Sequence, residues 1–191
     1  MNGFILKAAF IIILIFSLLG CSKNEPLNKK AEFVTYIIPV GKHSSISRIK
    51  ILYKEELKFV VKFDSSAIYT TVDPVNQYST NKLYGFSDCN TIHQENSARI
   101  GWRWFNNQLE ILAYCYINSE RFFENVTTLE IGNEYECSIK IVDDNYQFSI
   151  NGATVNIKRG CPTEYLKYCL YPYFGGVEPA PHDIKIEIKD L

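Results

Sequence analysis

Few residues in this sequence suit metal or phosphate chemistry. Its 191 residues include three histidines and six cysteines, and the formal net charge is −1. There is no Cys-x-x-Cys unit, and His43, His93 and His182 lie far apart, so no zinc site is expected. No long basic run breaks the near-neutral balance, which removes the electrostatic case for a nucleic-acid partner. A Gly-rich phosphate loop is missing, as is a Ser-His-Asp order, and no cofactor is expected. Helical periodicity is scarce too. No apolar stripe exceeds three turns, and Pro162 to Lys167 leaves room for one short helical turn at most. There is no repeat of about 20 to 50 residues.

The one long apolar run stands at the start. Lys7 precedes Ala8 to Leu19, a stretch broken only by Ser17, and Gly20 then sits directly before Cys21. This order reads as a secretory signal peptide over residues 1–20, with a run too short to cross a membrane comfortably. Leu18-Leu19-Gly20-Cys21 resembles the bacterial lipobox, in which a small residue precedes the cysteine that receives lipid and becomes the new N-terminus. The resemblance implies a lipoprotein of the cell envelope, at the outer membrane, with membrane lipid as its partner through Cys21. Two or more acyl chains would hold it firmly where one would not. Residues 21–32 then form the lipidated cysteine and a polar, aperiodic tether. Residues 33–191 are left as one domain, long enough to bury about two-thirds of its unfolded surface.

Five cysteines follow Cys21: Cys89, Cys115, Cys137, Cys161 and Cys169. An odd number leaves at least one unpaired within the chain. Cys161 and Cys169 flank one loop and form the preferred disulfide.

From Phe33 onward the pattern alternates with the period of strands. Tyr135, Cys137, Ile139 and Ile141 form one apolar set, Tyr146, Phe148 and Ile150 a second, and Ala153, Val155 and Ile157 a third. The turns between them fall at Asp143-Asp144-Asn145 and at Asn151-Gly152, the latter the pair a two-residue type I′ hairpin demands. With two-residue loops all three sets share one face, and a one-residue slip would separate them. A second hairpin spans 98–117 and turns at Asn106-Asn107. It pairs Trp104 with Leu109, Trp102 with Ile111 and Ile100 with Ala113, and so places both tryptophans in the core. Further strands are expected at 33–39, 46–53, 57–63, 126–131, 168–174 and 183–190. The sum is an all-β, two-sheet antiparallel sandwich.

The other face of the second hairpin carries Arg99, Arg103, Glu110, Tyr114 and Tyr116, with Arg103 directly opposite Glu110 as a cross-strand ion pair. Guanidinium groups match carboxylates, and phenol rings stack while donating a hydrogen bond, so this face suits a glycan, and an acidic one in particular. A solvated sheet face is the plainer alternative. His93, in the loop leading into Arg99, is placed to overhang one end of it. Any catalytic role would fall to His93, Arg99 and Tyr114. His182-Asp183 reads as a turn cap, and His43 offers nothing specific. No strand carries a close carboxylate pair of the glycosidase kind.

Two C-terminal runs, Leu170-Tyr171-Pro172-Tyr173-Phe174-Gly175-Gly176 and Pro179-Ala180-Pro181-His182-Asp183-Ile184-Lys185-Ile186, resemble the closing strands of concanavalin-like jelly-roll proteins. Signal and domain together resemble the sugar-handling surface lipoproteins of the Bacteroidetes. The resemblance implies a jelly roll whose Tyr-Phe-Gly-Gly strand lies in a concave sheet, which adds Tyr173 to the glycan-binding candidates. Alginate lyases of this fold cleave acidic polysaccharides with Arg, Gln or His, and Tyr. Their Gln-Ile-His and Tyr-Phe-Lys-x-Gly runs do not occur here; Tyr173-Phe174-Gly175 echoes the second without its lysine. The expected function is therefore a membrane-anchored glycan-binding accessory module. The alternatives are a polysaccharide lyase or hydrolase, and a structural or interaction lipoprotein.

One test concerns the anchor. Cys21→Ser should abolish incorporation of labelled palmitate and release the protein into the soluble fraction, since the acyl chains supply most of the membrane affinity. Unchanged labelling and retention would refute the lipoprotein reading.

Overall fold

The structure, a computed structural model, describes residues 31–46, 48–161 and 166–191. The expected signal peptide, Cys21 and most of the tether lie outside the described residues, as do four residues of the expected helical turn at 162–167.

Twelve strands are present among the described residues. In chain order they are β1 (Val34–Ile38), β2 (Ile51–Leu52), β3 (Glu56–Phe63), β4 (Asn81–Ser87), β5 (Ser97–Phe105) and β6 (Gln108–Ile117). Next come β7 (Glu120–Leu129), β8 (Glu134–Val142), β9 (Asn145–Ile150), β10 (Ala153–Lys158), β11 (Lys167–Leu170) and β12 (Ile184–Asp190). They form two six-stranded antiparallel sheets, in the orders β1-β12-β3-β8-β9-β10 and β2-β11-β4-β5-β6-β7. The fold is the all-β sandwich expected from the alternation.

Local chemistry sets the registers. Asn151 and Gly152 both take positive φ (48° and 89°), and the hairpin they make pairs Phe148 with Val155. Asn106 and Asn107 do the same at 51° and 58°, giving Trp102 opposite Ile111 and Trp104 opposite Leu109. Asparagine tolerates this left-handed backbone better than most residues. The expected alternation then fills the core: Ile184, Ile186 and Ile188 of β12, Phe59 and Phe63 of β3, and Ile100 and Trp102 of β5 are all buried. Trp102 sits against the rings of Phe63 (5.3 Å) and Tyr69 (5.9 Å).

Four expectations are corrected. Cys161 pairs with Cys89 and not with Cys169; their Cα atoms are 5.8 Å apart, while Cys169 faces the core as a free thiol beside Phe86 on β4. The strand expected at 46–53 is confined to Ile51–Leu52 among the described residues, and Ser44 ahead of it makes a single bridge to Tyr173. The strand expected at 168–174 stops at Leu170, two residues before Pro172, which has no N–H to give a ladder. The strand expected at 126–131 instead begins at Glu120 and ends at Leu129; as an edge it exposes both faces over its first half and shows no alternation. β4 was not anticipated. A bulge between Lys82 and Tyr84 buries Leu83 and Tyr84 in succession and breaks the period of two.

Trp102 has no solvent exposure and fills the space between the sheets. Trp102→Ala should destabilise the domain by about 3–5 kcal/mol in a denaturant titration. A loss under about 1 kcal/mol would mean that the hairpin register is wrong.

Candidate functional site

The second sheet turns one face to the core and the other outward. Lys82 (β4), Arg99 and Arg103 (β5), and Glu110, Tyr114 and Tyr116 (β6) share the outer face. The register sets Arg99 against Tyr114, Arg103 against Glu110, and Tyr116 against Arg121 of β7. Tyr173 joins the face through a two-way backbone bridge to Lys82, with N–O distances of 2.8 and 2.9 Å.

This face is not the open, solvated surface that alternation alone suggests. Arg99 and Tyr114 are only 6% and 3% exposed. The face holds two depressions, one bordered by Ser44, Ile46, Arg48, Ile49, Pro172 and Tyr173 and the other by Gly176. One, of about 280 Å³, is lined by Arg99, His93, Tyr168 and Tyr173. The other, of about 230 Å³, is lined by Lys82, Tyr114 and Arg121, with Val75 and Tyr78 as one wall.

Charge on this face is unbalanced. Among the described residues no carboxylate pairs with Lys82, Arg99 or Arg121. Arg99 Nε is buried with no hydrogen-bond partner, and the phenols of Tyr114, Tyr116, Tyr168 and Tyr173 lie within electrostatic reach of its guanidinium. Lys82 Nζ donates to the Thr80 carbonyl at 2.8 Å and lies 4.8 Å from the centre of the Tyr114 ring and 6.0 Å from that of Tyr173. Burial, reinforced by the charges of Arg99 and Arg121, pulls the Lys82 ammonium down to about 8. Gly175 makes this fit possible: a Cβ there would stand 2.7 Å from Lys82 Nζ and 2.0 Å from the Thr80 oxygen.

Two histidines flank the depressions. Burial, followed by the charge of Arg99, lowers the His93 pKa and favours the neutral imidazole. His43 stacks on Tyr173 with ring centres 5.4 Å apart, and its Nδ1 lies 2.9 Å from the Phe174 carbonyl. A carbonyl can only accept, so Nδ1 carries the proton; in the neutral ring Nε2 is then the free acceptor.

The structure therefore brings together Arg99, Tyr114, Tyr116, Tyr173 and His93 of the expected residues. It withdraws Arg103 and Glu110. Arg103 Nε binds Glu110 at 2.6 Å and Nη1 binds the Tyr78 carbonyl at 3.0 Å, while its plane covers the Tyr78 ring at 3.9 Å. Held by these contacts, Arg103 clamps the 3₁₀ turn Pro74–Tyr78 as a wall of the site. Lys82, Arg121 and His43 escaped the sequence reading. Lys82 lies in the strand hidden by the bulge, and His43 lies in a loop whose partner is 130 residues away. Asp88, Cys89 and Cys161 do cluster, but the sulfurs bond each other and Arg159 and Tyr146 occupy the carboxylate, so this set fits no metal.

No protein-family model matches the sequence, and no curated protein matches it. Solved structures do match. The alginate lyase AlyC3 superposes with a TM-score of 0.57 at 6% identity, over 82% of this chain and 72% of that one. An alginate lyase from Alteromonas sp. 272 gives 0.55 at 7%, over 87% and 88%. SCLam, a non-specific endo-β-1,3(4)-glucanase of family GH16, gives 0.51 at 11%, over 74% and 58%. The fold is a concanavalin-like jelly roll.

Lys82 carries a measurable penalty. The unfolded amine takes its proton near 10.5 and the folded one near 8, so the penalty is fully present below about pH 8 and fades as pH rises toward 10.5. Lys82→Met should accordingly raise stability at neutral pH by about 1–3 kcal/mol, after allowance for partial exposure, with the gain shrinking above pH 8. Thermal melts at about pH 7 and pH 10 would check this. A destabilised variant at neutral pH would contradict it.

Proposed function

We propose that the jelly roll binds an acidic polysaccharide along the outer face of its second sheet. A single observation carries the reading: Lys82, Arg99 and Arg121 share one face, and among the described residues no carboxylate pairs with them. A protein keeps such a cluster at a cost to its own stability, and an anionic ligand removes the cost on binding. Tyrosines 114, 168 and 173 add ring surface and hydroxyl donors suited to sugars. AlyC3 is known in complex with dimannuronate, an acidic disaccharide, on the same fold. The N-terminal run ending in Leu18-Leu19-Gly20-Cys21 supports a lipid anchor at the cell envelope, expected at the outer membrane, which would hold this face near extracellular glycans.

A second reading, a lyase, rests on His43. His43 stacks on Tyr173, whose ring centre lies 6.0 Å from Lys82 Nζ, so an imidazole, a phenol and a cation share one region, the composition needed to take a proton from the carbon next to a uronate carboxylate and return one to the departing glycosidic oxygen. Hydrolysis by paired carboxylates is not supported. β4, β5 and β6 offer this face one acid, Glu110, and Arg103 holds it.

The test is calorimetric titration of the full chain with oligomannuronate and with polygalacturonate, before and after methyl esterification. Free acids should bind with a Kd on the order of micromolar to millimolar, more weakly as salt rises. Arg99→Met and Lys82→Met should each cost about tenfold or more in affinity. Esterified polymer binding as well as the acid would overturn the reading. Ultraviolet absorbance that grows with time in the acid samples, and is lost in His43→Ala, would establish elimination; its absence selects binding alone.

A further inference from the structure

Trp104 ends the core-facing row of β5, yet unlike Trp102 it is only half-buried. Its indole is a wall common to two cavities beside the Asn106-Asn107 turn. One is about 530 Å³ and is bounded by Ile68, Asn107, Leu109, Thr128 and Glu130. The other is about 250 Å³ and is bounded by Thr70, Pro74 and Gln77. The first alone exceeds either depression on the outer face and falls in the range of small-molecule sites. Gln77 Nε2 donates to the Trp104 carbonyl at 2.7 Å and to the Tyr69 carbonyl at 3.1 Å, fixing the strand end that carries the ring.

The polar groups at the rim are of a different kind from those on the outer face. The left-handed turn presents the exposed amide of Asn107. Glu130 is steadied by Asn133 Nδ2, which donates to its Oε2 at 3.1 Å, and among the described residues nothing bonds its other carboxylate oxygen. Among the described residues neither cavity is lined by a Lys, Arg or His. The rim instead carries a carboxyl group, that of Glu130.

We propose that this cleft is a second saccharide site, independent of the cationic face, which takes an uncharged sugar stacked on Trp104. A pyranose presents a face of C–H bonds to the indole and a rim of hydroxyls. Asn107 can donate to those hydroxyls and accept from them, and the other carboxylate oxygen of Glu130 accepts from them. Glu130 at the same time repels acidic sugars. One chain thus carries two sites of opposite charge preference.

The test uses the full chain with cellotetraose and laminaritetraose as neutral probes and oligomannuronate as the acidic one. Trp102 is fully enclosed, so a change in tryptophan fluorescence on titration reports Trp104. At least one neutral probe should give a saturable change, with a Kd of about a millimolar. Trp104→Ala should remove it. Asn107→Gly, which keeps the positive φ, and Glu130→Gln should each weaken it severalfold with the melting temperature unchanged, so the proposal stays testable even if Trp104→Ala unfolds. All three surface or platform variants should keep oligomannuronate binding, whereas Lys82→Met should lose that and keep the neutral response. No saturable response to either neutral probe, or full affinity in both Asn107→Gly and Glu130→Gln, overturns the proposal, as does competition between neutral and acidic probes.

Discussion

Asp88 has no contact with solvent, and the two sheets meet at its carboxylate. It follows β4 of one sheet and receives the Tyr146 hydroxyl from β9 of the other at 2.8 Å. Arg159, at the end of β10, grips it with Nε and with Nη2, the latter at 3.0 Å. A buried pair of this kind adds little net stability compared with well-packed apolar residues, but loss of one partner strands a charge, at about 3–5 kcal/mol. Its contribution is therefore to alignment: it allows one placement of the sheets at this end. The Asp88 backbone also starts the turn that carries His93, accepting from Thr91 N at 3.1 Å and donating to the Asn96 carbonyl at 2.9 Å. The constraint that aligns the sandwich thus also sets one end of the candidate site.

Much of the architecture was legible because its controls are local. Asn106-Asn107 and Asn151-Gly152 can hardly be anything but tight turns, and once they are placed the parity of Trp102, Ile111, Phe148 and Val155 follows. The Arg103–Glu110 pair followed from the same counting. What escaped was set by contacts remote in sequence or by broken parity. Leu83 and Tyr84 are both buried across a bulge, which erased the alternation of β4 and hid Lys82 with it. Cys89 meets Cys161 across 72 residues, while the nearer Cys169 points into the core. Alternation also reveals which face a side chain leaves from, and not what lies over that face. Arg99 and Tyr114 leave on the outer side as expected, yet both are buried.

The outer face shows how a site differs from a merely solvated sheet. Arg103 and Glu110 satisfy one another and lie quiet, and their neighbours Lys82 and Arg99 do not. Paired charges stabilise or are neutral, while clustered like charges in a half-dry depression oppose folding until something arrives to balance them. Gly175 sharpens the contrast, since a larger residue would displace the Lys82 ammonium and ease the strain. The sandwich tolerates the load because its core, built on Phe59, Phe63, Trp102 and the β12 isoleucines, lies on the other side of the same strands.

The Cys89–Cys161 link closes a covalent ring through β5, β6, β7, β8, β9 and β10. By chain entropy a ring of this length is worth about 4 kcal/mol. It also changes what a protease can accomplish. A single cut at any exposed turn between the two cysteines, at Asn118-Ser119 or Asp143-Asp144 for instance, opens the ring without dividing the molecule, and the fragments stay joined and aligned by their ladders. A nick that would release half of an unlinked sandwich leaves this one assembled, so at least two cuts within the ring are needed to remove a piece of it.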